Sequence, residues 1–179
     1  MDIGVISVRY ARALLKCSME AGIEDNVYQD MQTLAKNYID VPELRTAIDN
    51  PMLAKESKEA ILKTSAGEKV TELTVRFIQL VLNEERENVM QFIANSYITL
   101  YRKQKNIIRG KLTTASEVTP AIEQKMRQMV ESKTNGTVEF ETEVNPDILG
   151  GFILEYDTYR MDASAKNKLN SILKQLAVK

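Results

Sequence analysis

Histidine is absent from the 179 residues, which removes both the commonest general base at neutral pH and the commonest zinc ligand. The single cysteine, Cys17, can close no internal disulfide, which suits a reducing compartment. With no histidine to activate it, a Cys–His nucleophile is excluded. Tryptophan is absent and aromatics reach only 6%, which leaves little for stacking against nucleic-acid bases. No charge surplus exists either: 24 basic residues meet 25 acidic ones, unlike a free nucleic-acid binder. No apolar run approaches the roughly 18 residues that a membrane span needs. The opening MDIGVISVRYARALLK has an early Asp2 and no signal-peptide core. A soluble protein is expected, one that can still dock to something in a membrane.

What is present is amphipathic helix. The hydrophobic fraction of 44% is that of a globular chain. In SVRYARALLKCSMEAG, Tyr10, Ala13, Leu14, Cys17 and Ala21 recur at three- and four-residue steps, and Gly22 suits the position just past the helix end. Ile23, Val27, Met31, Leu34 and Tyr38 repeat the period in a second helix. Pro42 opens a short third helix, closed by Asn50-Pro51. SKEAILKTSAG gives a fourth. In the fifth, KVTELTVRFIQLVLNEER, the line Val70, Leu73, Phe77, Leu80 and Val81 is read as inward. In the sixth, Val89, Phe92, Ile93, Ser96, Tyr97 and Leu100 are in phase.

After Lys105 the pattern changes. NIIRGKLTTAS reads as a strand, Thr119-Pro120 as the cap and first residue of a helix, and Asn135-Gly136 as its end. TVEFETEV alternates strictly, with Val138, Phe140, Thr142 and Val144 on one face and a solvated row of glutamates on the other. GFILEY is a further strand. SAKNKLNSILKQLAVK closes as a helix with Leu169, Ile172, Leu173 and Leu176 on one side. The fold class expected is mainly α: an N-terminal six-helix bundle over residues 1–105, followed by a small α+β domain over 106–179.

No residue set points to chemistry. Gly150-Gly151 precedes a strand and lacks the longer glycine pattern and following Lys and Ser/Thr of a phosphate loop, so it reads as a structural turn. Cys17 reads as a small core hydrophobe. Glu84, Glu85 and Glu87 sit at a helix end and read as solvated surface, with no metal-loop spacing around them. Arg102, Lys103 and Lys105 complement a helix C-terminus, with a basic contact surface as the sharper alternative. Met126 and Met129 are read as core. No catalytic, cofactor, metal or small-molecule site is expected, and an interaction protein is.

Read as a whole, VEFETEVNPDILGGFILEYDTYRMDASAKNKLNSILKQL resembles the C-terminal signature of the δ subunits of bacterial F-type ATP synthases, counterparts of the mitochondrial oligomycin-sensitivity-conferring protein. The pattern is an alternating strand (Val138, Phe140), a turn at Asn145, Ile148, then Gly150-Gly151, an apolar strand (Phe152 to Leu154), Asp162-x-Ser164 and a Leu-rich helix. RYARALLKCSMEAG is similar to the family's opening helix, IDNPMLAKESKEAIL to its Asn-Pro segment, and QLVLNEERENVMQFI to its fifth-to-sixth-helix link. The chain departs from the pattern at Ala163 and Glu85, where glycine is frequent.

The resemblance implies a non-catalytic stator subunit. Residues 1–105 would hold amino-terminal helices of the catalytic head's α subunits, with its β subunits alongside. Residues 106–179 would hold the carboxyl ends of a b-type peripheral stalk. It further implies a groove between helices one and five, for which Tyr10, Ala13, Leu14, Ile78, Val81 and Leu82 are the candidate residues. The expected place is the cytoplasmic face of the bacterial inner membrane, held there through the complex, with no nucleic acid bound. Another helical adaptor or an RNA-binding module is the alternative.

Overall fold

A computed structural model describes residues 3–134, 136–156 and 158–177, and divides the chain into two compact units, Met1–Gln104 and Lys105–Lys179. The protein is mainly helical, with a small four-stranded sheet in the second unit. The first unit holds α1 (Ile3–Glu20), α2 (Glu24–Asp40), α3 (Pro42–Asp49), α4 (Lys55–Ala66), α5 (Glu72–Asn83) and, after a 3-10 turn at Glu87–Val89, α6 (Met90–Lys105).

Local chemistry sets these boundaries. Gly22 takes φ +67° just past α1, where its N–H bonds to the Met19 carbonyl and the Ile23 N–H bonds to that of Ser18. These are the two closing bonds of a Schellman turn. Pro42 stands at the first turn of α3, and the Asn50 side chain accepts from the Met52 N–H to turn the chain after it. The core of the unit comprises Leu14, Val27, Met31, Leu34, Ile48, Leu62, Ile78, Val81, Met90, Ile93 and Tyr97. Each such side chain contributes roughly 1.5–3 kcal/mol by leaving water.

The inner face of α1 differs from the expected line. It is Ile6, Ser7, Ala11, Leu14, Leu15 and Ser18, whereas Cys17 and Ala21 are exposed. Hydroxyls replace apolar groups because partners await them. Ser18 Oγ donates to the Leu15 carbonyl and pairs with the Tyr97 hydroxyl at 2.9 Å. Burial pushes the Tyr97 hydroxyl up to about 12, against the opposing effect of Ser18. Phe92, expected inward on α6, is exposed, and Ala94, Ile98 and Tyr101 are buried instead.

The second unit holds β1 (Ile107–Thr114), α7 (Pro120–Thr134), β2 (Thr137–Val144), a 3-10 turn (Pro146–Ile148), β3 (Phe152–Tyr156), β4 (Tyr159–Asp162) and α8 (Ala165–Ala177). The strand order is β2-β1-β3-β4. α7 carries the crossover that makes β1 and β2 parallel, and the remaining pairs are antiparallel. Leu112, Val138 and Leu154 from the sheet and Val130 from α7 form its core. The glutamate row of β2 is met by cations of β1, Arg109 with Glu141 at 2.6 Å and Lys111 with Glu143 at 2.9 Å, so it is a cross-strand charge ladder. Ile122 and Val144, expected inward, are exposed. Asn135 lies outside the described residues, as does the side chain of Leu176.

Gly150 and Gly151 form the turn between the second 3-10 segment and β3. Leu149, Gly150 and Gly151 run at φ +66°, +153° and +75°. The turn threads under the residues that start α8: the Gly150 carbonyl accepts from the Ala165 N–H, and the Phe152 carbonyl from the Ala163 N–H. Asp162 Oδ1 accepts from the Ser164 N–H, and Ser164 Oγ caps the helix by accepting from Asn167 N–H. A Cβ on Gly151 would stand 2.3 Å from the Ala163 carbonyl oxygen. Gly151→Val therefore adds a backbone clash to left-handed strain. It is expected to destabilise the second unit by at least about 2 kcal/mol, read as a lowered thermal midpoint. An unchanged midpoint would contradict this.

Glu87 is not the solvated residue expected. It pairs at 2.7 Å with Lys58 of α4, whose side chain is 5% exposed. Burial alone would raise the Glu87 carboxyl. The hydrogen bond and charge of Lys58, with help from a backbone N–H and from Lys55, outweigh it and hold the carboxyl below its ordinary 4.5. A folded value below the unfolded one adds stability that is full above about pH 4.5 and is lost as pH falls through the folded value. Glu87→Gln strands the Lys58 charge and is expected to cost about 3 kcal/mol at neutral pH. Its acid unfolding should also be shallower than wild type below pH 4.5, measured by urea titrations at stepped pH.

Candidate docking groove

α5 carries more apolar side chains than one core can use. Thr74, Phe77, Ile78, Val81 and Leu82 are buried in the unit, while Leu73 is half-buried and Leu80 exposed along the other side. Phe77 stands at the seam, with its outer edge reaching that side. Its rotation is fixed at the N-terminus. Asp30 of α2, itself buried, accepts from the Thr71 N–H at 3.0 Å and the Thr71 hydroxyl at 2.8 Å. Thr71 is the N-cap of α5 and accepts in turn from the Thr74 N–H. A carboxylate here also meets the positive end of the helix dipole. At the other end a second Schellman turn closes α5, with Glu85 N–H bonded to the Leu82 carbonyl and Arg86 N–H to that of Val81. Glu85 holds φ +54° there, the conformation that the frequent glycine of the resembled family would accept without strain.

Between α5 and α1 lies an open groove of about 550 Å³. α1 lines it with Arg9, Tyr10, Ala13, Leu14 and Cys17, and α5 with Leu73, Arg76, Phe77, Leu80 and Glu84. Tyr10 and Phe77 meet edge to face across it, centroids 6.3 Å apart. Ala13 and Cys17 are exposed, so the α1 side offers small side chains beside the rings. A partner helix can approach such a wall closely, and an amphipathic helix in an apolar groove is a recurring mode of recognition.

Of the six candidate residues, Tyr10, Ala13 and Leu14 line this groove, though Leu14 is largely buried. Ile78, Val81 and Leu82 do not. They are 0%, 0% and 2% exposed and belong to the core. The reason is rotational: an apolar line runs through 73, 77 and 80 and another through 74, 78, 81 and 82, and the Asp30–Thr71 anchor turns the second inward, with Phe77 buried at the seam between the two. Leu73, Phe77 and Leu80, expected inward, line the groove; Phe77 is buried as expected, while Leu80 is 49% exposed. The signal that could have placed them there is the width of the apolar arc, too broad for one buried stripe.

A second unpartnered face lies in the other unit. α8 rests on the 3-10 turn at Pro146–Ile148, while Leu169, Ile172 and Leu173 are 51%, 53% and 62% exposed. Apolar side chains gathered in this way mark interaction surfaces. Among the described residues no helix is long and apolar enough to cross a membrane, and none forms a group of acidic, Cys or His residues able to hold a metal.

Comparison with known proteins gives a consistent picture. The family model for the ATP synthase delta (OSCP) subunit matches residues 6–176. The chain is 48% identical to ATP synthase subunit delta of Phocaeicola vulgatus, over 100% of this chain and 97% of that one. It is 42% identical to ATP synthase subunit delta of Parabacteroides distasonis, over 96% of each. Its fold matches a chain in a cryo-electron microscopy structure of the Toxoplasma gondii mitochondrial ATP synthase hexamer, with TM-score 0.64 and 21% identity over 96% of this chain and 97% of that one.

The two lines of α5 should behave oppositely. Leu80→Glu and Ala13→Glu place a charge on an exposed wall, and are expected to shift unfolding free energy by less than about 1 kcal/mol. Ile78→Glu or Val81→Glu buries an unpaired carboxylate and should leave the first unit unfolded at 25 °C, seen as lost helical circular dichroism. A folded Ile78→Glu protein would place this face of α5 outside the core.

Proposed function

The chain belongs to the ATP synthase delta (OSCP) subunit family and is a stator subunit of the F-type enzyme, and we propose that its α1–α5 groove receives amino-terminal helices of the catalytic head's α subunits. The observation that carries this reading is the groove itself: an apolar, concave wall in which core residues Leu14 and Phe77 form the floor and Tyr10, Ala13, Leu73 and Leu80 are left accessible beside them. The exposed stripe of α8 is the matching surface for the b-type peripheral stalk. Docking of the head on one unit and the stalk on the other gives the chain its task. Rotor torque tends to drag the head round, and a link between head and stalk resists that drag, so that proton flow is coupled to ATP synthesis.

On this reading the chain carries force and performs no chemistry, and it reaches the cytoplasmic face of the bacterial inner membrane through its partners. The N-terminal helices act as one bundle in that role. Helix-in-groove contacts suit a load-bearing joint, because apolar burial is insensitive to small sliding motions while the groove walls resist sideways displacement.

Affinity capture of the tagged chain from solubilised membranes tests the division of labour. Wild type is expected to bring down α, β and b-type subunits. Leu80→Glu should lose α and β yet keep the b-type subunit, since a charge would be desolvated in the groove. Leu169→Glu/Ile172→Glu should do the reverse. Retention of all partners by both variants would remove these faces from the interface.

A further inference from the structure

The groove has a charged rim as well as an apolar floor. Along α1, Arg9, Arg12 and Lys16 follow one another at i, i+3 and i+7, all exposed; Arg9 lines the groove, and Arg12 and Lys16 continue its row on the adjoining open face of α1 beside Val8 and Ala13. Residues at this spacing stand in a row along a helix surface. Arg9 and Arg12 have no carboxylate partner among the described residues, and Lys16 has only Glu20 at 3.9 Å, both side chains well exposed. α1 itself supplies no acidic residue before Glu20. On the α5 side the cation Arg76 is neutralised by Glu72, and Glu84 is the one carboxylate that lines the groove. In a chain of net charge −1, three cations on a single ridge, with Glu20 as their one carboxylate neighbour, form a local field of one sign.

We propose that this row is a selectivity rail: the groove accepts an amphipathic helix whose flank presents carboxylates at matching i, i+3 and i+7 spacing to Arg9, Arg12 and Lys16. This rests on the assignment of the groove to the α-subunit helix and specifies the chemistry of that helix. Its seam is apolar, with small residues where it crosses Tyr10 and Phe77, and its flank towards α1 is acidic. The division of roles follows from where each group sits. Tyr10, Leu73 and Leu80 supply the area that leaves water, and so the strength of binding. The exposed rail adds little strength per pair, but it speeds encounter, fixes which flank faces α1 and rejects a helix with basic flanks.

The test uses the full chain and two synthetic peptides: the α-subunit amino-terminal helix of the same enzyme, and that peptide with every Asp and Glu changed to Asn and Gln. Arg9→Gln/Arg12→Gln/Lys16→Gln alters only exposed side chains, and unchanged circular dichroism and thermal midpoint verify its fold. In calorimetric and stopped-flow titrations the triple variant is expected to bind the native peptide about tenfold more weakly, mostly through a slower on-rate. Wild type should lose affinity for the native peptide as salt rises from 20 to ~300 mM, and should bind the neutralised peptide as weakly as the triple variant binds the native one. The two changes together should cost no more than either alone. Equal affinity of wild type and triple variant for the native peptide, independent of salt, overturns the rail. The groove assignment survives that result if Leu80→Glu still abolishes binding, and falls if Leu80→Glu binds normally. Capture of a labelled oligouridylate by wild type but not by the triple variant, with no discrimination between the peptides, also overturns the rail and assigns the cations to nucleic acid.

Discussion

A buried carboxylate sets which face of α5 is left at the surface. Asp30 accepts two hydrogen bonds from Thr71 and so holds the first turn of α5 at one rotation against α2. α5 is apolar over a broad arc, and a rotation of one residue, about 100°, would exchange its core and surface lines. With the anchor in place, Phe77, Ile78, Val81 and Leu82 complete the core, while Leu73, Leu80 and the outer edge of Phe77 are left for the groove. The Schellman turn at the far end holds the same rotation, and the chain accepts left-handed backbone at Glu85 to make it. A non-glycine residue there costs on the order of 1 kcal/mol. The second unit has a counterpart to this anchor. Gly150-Gly151 and the Asp162–Ser164 cap lock the start of α8 to the β3 turn, which fixes where its apolar stripe projects.

Much of the architecture was legible from periodicity and punctuation. Gly22, Pro42, Thr119-Pro120 and the glycine pair each mark a boundary by a backbone requirement that no tertiary contact alters. β4 escaped notice because Tyr-Arg-Met-Asp has no alternating pattern, and its strand character comes from pairing with β3. The phase of α1 was misread for a related reason. Ser7 and Ser18 count as polar in any pattern, yet Ser18 is buried because Tyr97 supplies its partner from 79 residues away. Glu87 is the same case, since its partner Lys58 lies on another helix. The rotation of α5, which decides the candidate site, depends on Asp30, 41 residues from Thr71, so the resemblance named the two helices of the groove while spacing along the second placed Ile78, Val81 and Leu82 on the wrong side.

The two unpartnered faces are built differently, and the difference bears on how each can carry load. The α1–α5 groove is concave, with walls from two helices held by buried contacts, so a helix seated there is restrained on both flanks. The α8 stripe is one convex ridge with Leu169, Ile172 and Leu173 standing proud of it. A single partner helix could cover only one side of such a ridge, and a sideways load would meet no wall. On the proposed reading, a secure hold on α8 requires the partner to provide the concavity, by wrapping the ridge with more than one segment. If the groove is preformed, binding there orders chiefly the incoming helix. At α8 the partner's segments must also be brought together around the ridge, so the apolar burial must first offset that ordering cost.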